Sequence, residues 1–119
     1  MKGYSIITHK GKEIVYVDYR AVKSEQEMIE ILESTGQFLL DENVPRRVLS
    51  NITGVYVLPR FMKRAKELGK KTNHLTSKEA IVGITGPKKT LLKFYNLFTG
   101  VDMKPFDNEE EAKDYLAKD

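Results

Sequence analysis

A chain of 119 residues with 40% hydrophobic side chains is long enough to bury one core, and we expect a single domain over residues 1–119. The absence of cysteine excludes disulfides, thiolate metal sites and cysteine nucleophiles. A net charge of +3 is too small to indicate nucleic acid. No run approaches the roughly 18 apolar residues that span a bilayer, and the first residues lack the apolar segment of a signal peptide, which predicts a cytoplasmic protein.

Two strands open the chain. Residues 4–9 and 13–19 are rich in β-branched side chains and are joined by a short segment containing Gly11, a pattern typical of a β-hairpin. Both alternating sets of side chains in the second run are largely apolar. We therefore expect the second strand to be central and the first to lie nearer an edge.

A helix follows the hairpin. Ser24 and Glu27 form a capping box, in which each side chain bonds to the backbone N–H of the other residue. One apolar face then recurs at helical spacing through Met28, Ile31, Leu32, Thr35 and Leu39. The helix should end near residues 41–43, ahead of Pro45.

The middle of the chain predicts a third strand over residues 47–52 and then a basic helix. Pro59 suits the first turn of that helix because its missing N–H would have no partner there. Gly69 is a plausible end of the helix. Residues 70–78 then form a polar loop that contains His74.

The last third predicts four further elements. They are a buried strand over residues 79–84, a helix from residues 86–87 to Gly100, a short edge strand at 104–106, and a final helix capped by Asp107 or Asn108. The complete order is β-β-α-β-α-β-α-β-α. This order predicts an α/β fold with a single mixed sheet of four or five strands and about four helices.

The polar loop after the third strand is the leading candidate for a partner site. Partners of open α/β sheets meet the carboxyl ends of the strands. Thr53 could accept a phosphate beside the basic helix, or it could be a turn threonine bonded to the local backbone. The residues of this partner-binding or phosphorylation loop and of the adjoining helix are Asn51, Thr53, Gly54, Arg60, Lys63 and Arg64.

Two other stretches are candidate sites. Gly86, Lys88 and Lys89 lead into a helix N-terminus, which predicts a generic anion site or an ordinary strand-to-helix turn, since the spacing of a phosphate loop is absent. The helix that follows is apolar almost all round. Its aromatic residues could line a pocket for a lipid-like ligand, form a homodimer contact or simply pack in the core, and they are Phe94, Tyr95 and Phe98.

The sequence predicts no catalytic residue, metal or cofactor. His9 and His74 lie in no metal-ligand spacing with an acidic residue, and no nucleophile–base pair is recognisable. Asp18 and Glu79 are isolated carboxylates. A close cluster of Asp18, His74 and Thr53 would instead indicate catalysis.

Short motifs at residues 17–19, 49–54, 80–83 and 99–116 together resemble a STAS-type domain of the SpoIIAA-like branch, related to bacterial anti-sigma-factor antagonists. The resemblance implies a non-enzymatic regulatory module that binds a protein partner, with Thr53 phosphorylated by a partner kinase. This chain has Asn51 where the family has Asp. Domains of similar architecture resemble small CRAL-TRIO-like folds, which implies an alternative function in binding a lipid-like or other apolar ligand.

Overall fold

The computed structural model describes residues 3–119, so the first two residues of the predicted domain lie outside the described range. The hairpin is present: β1 (Tyr4–His9) and β2 (Lys12–Asp18) pair antiparallel. Gly11 supplies a φ of +80° at the tight turn, a conformation that residues with a Cβ rarely adopt. β2 is buried on both faces through Ile14, Val15 and Val17, as expected of a central strand.

The first helix and the third strand follow the sequence pattern closely. α1 (Glu25–Glu42) begins after Ser24, whose Oγ accepts the predicted hydrogen bond from the Glu27 N–H at 3.1 Å. The other half of the predicted capping box is replaced, because the Glu27 carboxylate accepts from the Lys23 N–H at 2.9 Å rather than from Ser24. It ends at Asn43, whose left-handed backbone bonds back to Leu39. β3 (Arg46–Asn51) then pairs parallel to β2.

The predicted end of the second helix is wrong. α2 (Pro59–Thr72) continues through Gly69, and a short 3-10 turn leads into β4 (Thr76–Val82), so the predicted polar loop at 70–78 is mostly regular structure. Gly69 is buried inside the helix, and the Tyr95 hydroxyl lies where a Cβ on this residue would project. The glycine therefore permits a close approach between helices rather than a helix stop.

The remaining elements are α3 (Lys88–Thr99), β5 (Met103–Phe106) and α4 (Glu109–Ala117). Gly100 ends α3 with a left-handed backbone, at the predicted position. Asn108 caps α4 by accepting a hydrogen bond from the Glu111 N–H at 2.9 Å.

The five strands form one sheet in the order β1-β2-β3-β4-β5, in which β1 is antiparallel and the others are parallel. This arrangement confirms the predicted mixed α/β sheet. Helices α1, α2 and α3 pack on one face, whereas α4 packs on the other over Ile14, Leu49, Ala80 and Val82. Within residues 3–119, no helix is long and apolar enough to cross a lipid bilayer.

Candidate functional site

The loop after β3 lies at the edge of the sheet where parallel strands β2, β3 and β4 end. Asn51 is buried there, and its Oδ1 accepts a 3.0 Å hydrogen bond from the Thr53 N–H. Thr53 and Gly54 are exposed. The buried amide therefore fixes the turn and leaves the Thr53 side chain at the surface.

A second set of hydrogen bonds connects Asn51 to Glu109 at the start of α4. Its Nδ2 donates to Glu109 Oε2 at 2.6 Å, and the Tyr16 hydroxyl donates to the same oxygen. Burial and the bond to Glu109 raise the pKa of Tyr16 to about 12. Burial alone would raise the pKa of Glu109, but the bonds from Tyr16 and Asn51 outweigh it and lower that pKa. Strands β2 and β3 are thus tied to the first turn of α4.

This network requires an amide rather than a carboxylate at position 51. An aspartate would place a second carboxylate against Glu109 and remove the donor to it. We expect Asn51→Asp to destabilise the protein by about 2 kcal/mol at pH 7, and by less at pH 4, where one carboxyl can hold a proton. Urea unfolding at both pH values measures the loss.

The matched control for this substitution is Asn108→Asp in the same part of the fold. Asn108 is the N-cap of α4, where Asp and Asn cap equally well, and its Nδ2 donates to Glu111 Oε1 at 3.1 Å. Asn108→Asp therefore repeats the loss of an amide donor to a glutamate, but at an exposed site where water screens the two carboxylates. Its stability should change by less than about 0.5 kcal/mol. Equal losses in the two variants would contradict the role assigned to Asn51.

The back of the loop rests on Gly83, which follows β4. Gly83 has a φ of +102°, and a Cβ built on it would lie 2.5 Å from the Thr53 backbone nitrogen. The Lys88 ammonium donates to the Gly83 carbonyl at 3.3 Å and to the Ile52 carbonyl at 3.5 Å. Lys88 is thus turned towards backbone carbonyls, while Gly86 and Lys89 are exposed, and the predicted anion site stays a prediction.

The basic residues at the start of α2 differ in their surroundings. Arg60 lies 3.8 Å from Glu25, and Arg64 lies 2.8 Å from Glu33, so both predicted arginines pair with acids of α1. Lys63 is exposed. The positive charge that faces solvent is therefore smaller than the sequence suggests.

Two exposed apolar residues adjoin this loop, and the sequence-based site did not include them. Tyr56 is 83% exposed and Leu58 is 44% exposed. Tyrosines are enriched at protein interfaces because the ring offers a large apolar area with few rotamers. The sequence signal for this part of the site is Tyr56, a large aromatic residue in the loop that was already predicted to bind a partner.

A cavity of about 120 Å³ lies between the sheet and helices α1, α2 and α3. Most of its lining is apolar, including Leu39, Ile52, Phe61, Ile81 and Leu92. Its polar lining comes from Tyr19, Ser50, Glu79, Lys88 and Tyr95, and from the hydroxyls of Thr35 and Thr72, which bond to helix carbonyls. The interior thus holds a carboxyl group in apolar surroundings.

Burial raises the pKa of Glu79 to about 7, and a hydrogen bond with Thr76 offsets part of this shift. Burial also raises the pKa of Tyr19 and Tyr95, and the charge of Glu79 adds to both shifts. By sequence Glu79 is an isolated carboxylate. The signal for its burial is that Glu79 is the single charged residue of the predicted strand over 79–84.

Helix α3 separates the three aromatic residues of the predicted apolar site. Tyr95 lines the cavity, whereas Phe94 and Phe98 are about half exposed on the outer face beside Leu97. The Lys70 ammonium lies 5.2 Å from the centre of the Phe98 ring. The aromatic residues thus belong to two surfaces, and a homodimer contact through the outer one stays a prediction.

The structure does not form the cluster that would indicate catalysis. Asp18 ends β2 and Thr53 follows β3, whereas His74 precedes β4. Because these three strands are parallel, His74 lies at the opposite edge of the sheet. Asp18 pairs instead with Arg20, whose hydrogen bonds lower the pKa of that carboxyl.

His9 has acidic neighbours that its sequence spacing did not predict. Its Nε2 lies 2.8 Å from Asp114 Oδ1, and ligand atoms of His9, Glu110 and Asp114 all lie within 4.8 Å of one another. The Lys10 ammonium, however, lies 2.9 Å from the same Asp114 oxygen. The Lys10 ammonium and His9 already contact the Asp114 carboxylate, and we assign no metal to this group.

Comparison with known proteins identifies the fold. No protein-family model and no curated protein matches the chain. A solved structure does match: an uncharacterised protein of the DUF3478 family with a SpoIIAA-like fold, from Shewanella loihica PV-4. The two share 20% identity over 96% of this chain and 92% of that one, with a TM-score of 0.63. The chain therefore has the SpoIIAA-like fold that its sequence resemblance implied.

Proposed function

We propose that the chain is a non-enzymatic regulatory module of the cytoplasm that binds a protein partner at the edge of the sheet. The observation that carries the proposal is the exposure of Tyr56 and Leu58 on a loop whose base is fixed by the buried Asn51. Because the base of the loop is already ordered, a partner that covers these side chains would have less loop backbone to order on binding. We call the residues Thr53, Gly54, Tyr56, Leu58, Arg60, Lys63 and Arg64 the docking surface.

Phosphorylation of Thr53 would regulate this surface in the proposed scheme. The hydroxyl is exposed, and a phosphate there would add about −2 charge next to the apolar side chains. Arg60 and Arg64 pair with acids of α1, whereas Lys63 is exposed and forms no such pair in the described residues. Lys63 is therefore the basic residue of the docking surface that we expect to pair with the phosphate. The expected outcome is a switch in partner affinity, with the kinase implied by the resemblance to the anti-sigma-factor antagonists.

The test is capture of the partner from the native host. We expect the protein carrying both Tyr56→Ala and Leu58→Ala to retain at least tenfold less of the partner than wild type, because each truncation removes apolar contact area. Quantitative mass spectrometry of the retained proteins measures the difference. The matched control carries Ile6→Ala and Val44→Ala, which remove similar exposed apolar groups elsewhere on the surface.

Equal retention by the two double variants would argue against the docking surface. A Thr53→Ala variant then separates docking from regulation. If the phosphate gates binding, the partner bound by wild type should change after phosphatase treatment, whereas the partner bound by Thr53→Ala should not. A response of both proteins would place the relevant phosphate elsewhere.

The cavity favours a second function, the binding of a small apolar molecule inside the domain. Cavities of this size and lining admit small apolar molecules when no side chain fills them. In this function the ligand would contact Tyr95 and the other residues that line the cavity between the sheet and the helices, rather than Phe94 and Phe98.

A further inference from the structure

Three basic side chains lie side by side at the edge of the sheet where the parallel strands begin. Lys12 opens β2, Arg47 lies near the start of β3, and Lys78 lies near the start of β4. Each of them stands two residues before an apolar residue that α4 covers, so the alternation of the strands places all three on that face. We call these three residues the basic row.

The basic row brings like charges together across neighbouring strands. Arg47 and Lys78 are direct partners in the register of β3 and β4, and Arg47 is also the partner of Ile14, which follows Lys12 by two positions in β2. Like charges at opposed positions of a sheet repel one another and lower stability. An anion bound to the row would offset this repulsion.

A single carboxylate meets this need within the chain. Asp119 Oδ1 lies 2.9 Å from the Lys12 ammonium and 3.3 Å from Arg47 Nη2. The Lys78 ammonium holds the adjoining backbone by donating to the Lys118 carbonyl at 2.9 Å. The Asp119 side chain is 81% exposed, whereas those of Lys12 and Arg47 are 34% and 26% exposed. The cations are thus largely covered by the fold, while the carboxylate lies in water and can exchange with another anion.

Asp119 leaves part of the binding capacity of the row unused. One oxygen of its carboxylate contacts both Lys12 and Arg47. The Nε–H and Nη2 of a guanidinium point the same way and together form a fork for two oxygens of one anion. Within residues 3–119, however, Arg47 Nε is buried and has no hydrogen-bond partner. Buried donors are almost always paired in native proteins, so the row has room for an anion with more oxygens than Asp119 supplies.

We propose that the basic row binds a dianionic phosphate group, free or esterified. The tetrahedral group directs its oxygens several ways, so two of them can fill the Arg47 fork while another accepts from Lys12. Asp119 occupies the site as an internal competitor when no phosphate is bound. The site lies at the opposite edge of the sheet from the docking surface and does not depend on the function proposed above.

Titration of the full chain with inorganic phosphate at pH 8 tests the site, because phosphate is then a dianion. The ionic strength is held constant, and amide NMR shifts at Lys12, Arg47 and Asp119 report binding. We expect Asp119→Asn to bind phosphate about fivefold more tightly than wild type, since the competitor and one repelling charge are both lost.

The matched control is Glu67→Gln, which makes the same change in net charge on the other face of the sheet. Glu67 is 53% exposed and lies 3.7 Å from Arg64, so it is also a half-exposed or exposed acid paired with a cation. Its phosphate affinity should stay within about twofold of wild type, because salt screens charges at this distance.

Two further variants locate the site. Arg47→Gln and Lys12→Gln, each made in the Asp119→Asn background, should weaken phosphate binding by at least about fivefold, because each removes one cation from the anion. Lys12 is partly exposed at the end of a strand, so Lys12→Gln serves if Arg47→Gln does not fold. Methyl phosphate distinguishes the sources: affinity equal to that of phosphate indicates an esterified group, whereas weaker binding indicates free phosphate.

Four results would overturn the proposal. They are the absence of saturable shifts in both wild type and Asp119→Asn, equal affinity in these two proteins, equal gains in Asp119→Asn and Glu67→Gln, and tighter binding of acetate than of phosphate. The third would show that net charge, rather than the basic row, attracts the anion. The fourth would show that the row prefers a single carboxylate.

Discussion

The change in the free energy of unfolding caused by Glu79→Gln is expected to be more favourable at pH 8 than at pH 4, by roughly 3 kcal/mol. The carboxyl has its usual pKa of 4.5 in the unfolded chain and a pKa of about 7 in the folded one. Between these two values the folded protein holds a proton that the unfolded chain has released. The free energy of unfolding of wild type therefore falls as the pH rises through this window, and above pH 7 the full cost of the buried charge is present.

No other group facing Glu79 should produce this dependence. The Tyr19 and Tyr95 hydroxyls have raised pKa values and stay neutral in the window, and Lys88 is the cation among the residues that line the cavity. The helices α1 and α2 contribute no titratable side chain to the lining. The difference between wild type and Glu79→Gln thus isolates one carboxyl.

Urea unfolding of both proteins from pH 4 to pH 8 measures the effect. The control is Glu67→Gln, which removes a half-exposed carboxylate 3.7 Å from Arg64 and should change stability by less than about 1 kcal/mol. Curves for wild type and Glu79→Gln that stay parallel across the whole range would show that Glu79 is not a buried acid with a raised pKa.

Replacing Gly83 with alanine is expected to cost about 3 kcal/mol of stability and to displace the docking surface. A Cβ at this position meets the Thr53 nitrogen at 2.5 Å and the Thr53 Cα at 2.7 Å, and both atoms belong to the backbone. Neither a rotamer change nor a small tilt of a side chain relieves such a contact. Urea midpoints measure the cost, and amide NMR shifts at residues 52–55 measure the displacement.

Gly54→Ala is the matched control for this collision. Gly54 also has a positive φ, of +75°, but no atom lies within 4 Å of the Cβ that would be added. Gly54→Ala should lose only about 1 kcal/mol of stability, which comes from backbone strain at the positive φ. If the two variants lose equal stability, the contact between Gly83 and the loop does not support the docking surface.

Local patterns in the sequence were sufficient to predict most of the fold. The Ser24 cap of α1 and the two apolar faces of β2 each depend on neighbours within a few residues, and both appear in the structure as predicted. Gly69 misled the prediction because the same residue suits a helix end and a close helix contact. Only the position of Tyr95 on α3 distinguishes the two cases.

The candidate sites depend on contacts that no local pattern encodes. Asn51 was correctly placed at the end of β3, but its pairing with Glu109 requires α4 to dock on the opposite face of the sheet. Glu79 was correctly placed in a strand, but its surroundings depend on which face of that strand the three helices cover. The sequence therefore located these residues along the chain without showing what they contact.

The single helix on the second face of the sheet has a consequence for biosynthesis. Ala112 and Leu116 of α4 cover the apolar side chains of β2, β3 and β4, yet α4 follows all five strands in the chain. Strands β2, β3 and β4 are therefore synthesised before α4, and until α4 packs on them their apolar side chains are exposed to other molecules. Until α4 packs, this face of the sheet is expected to be aggregation-prone.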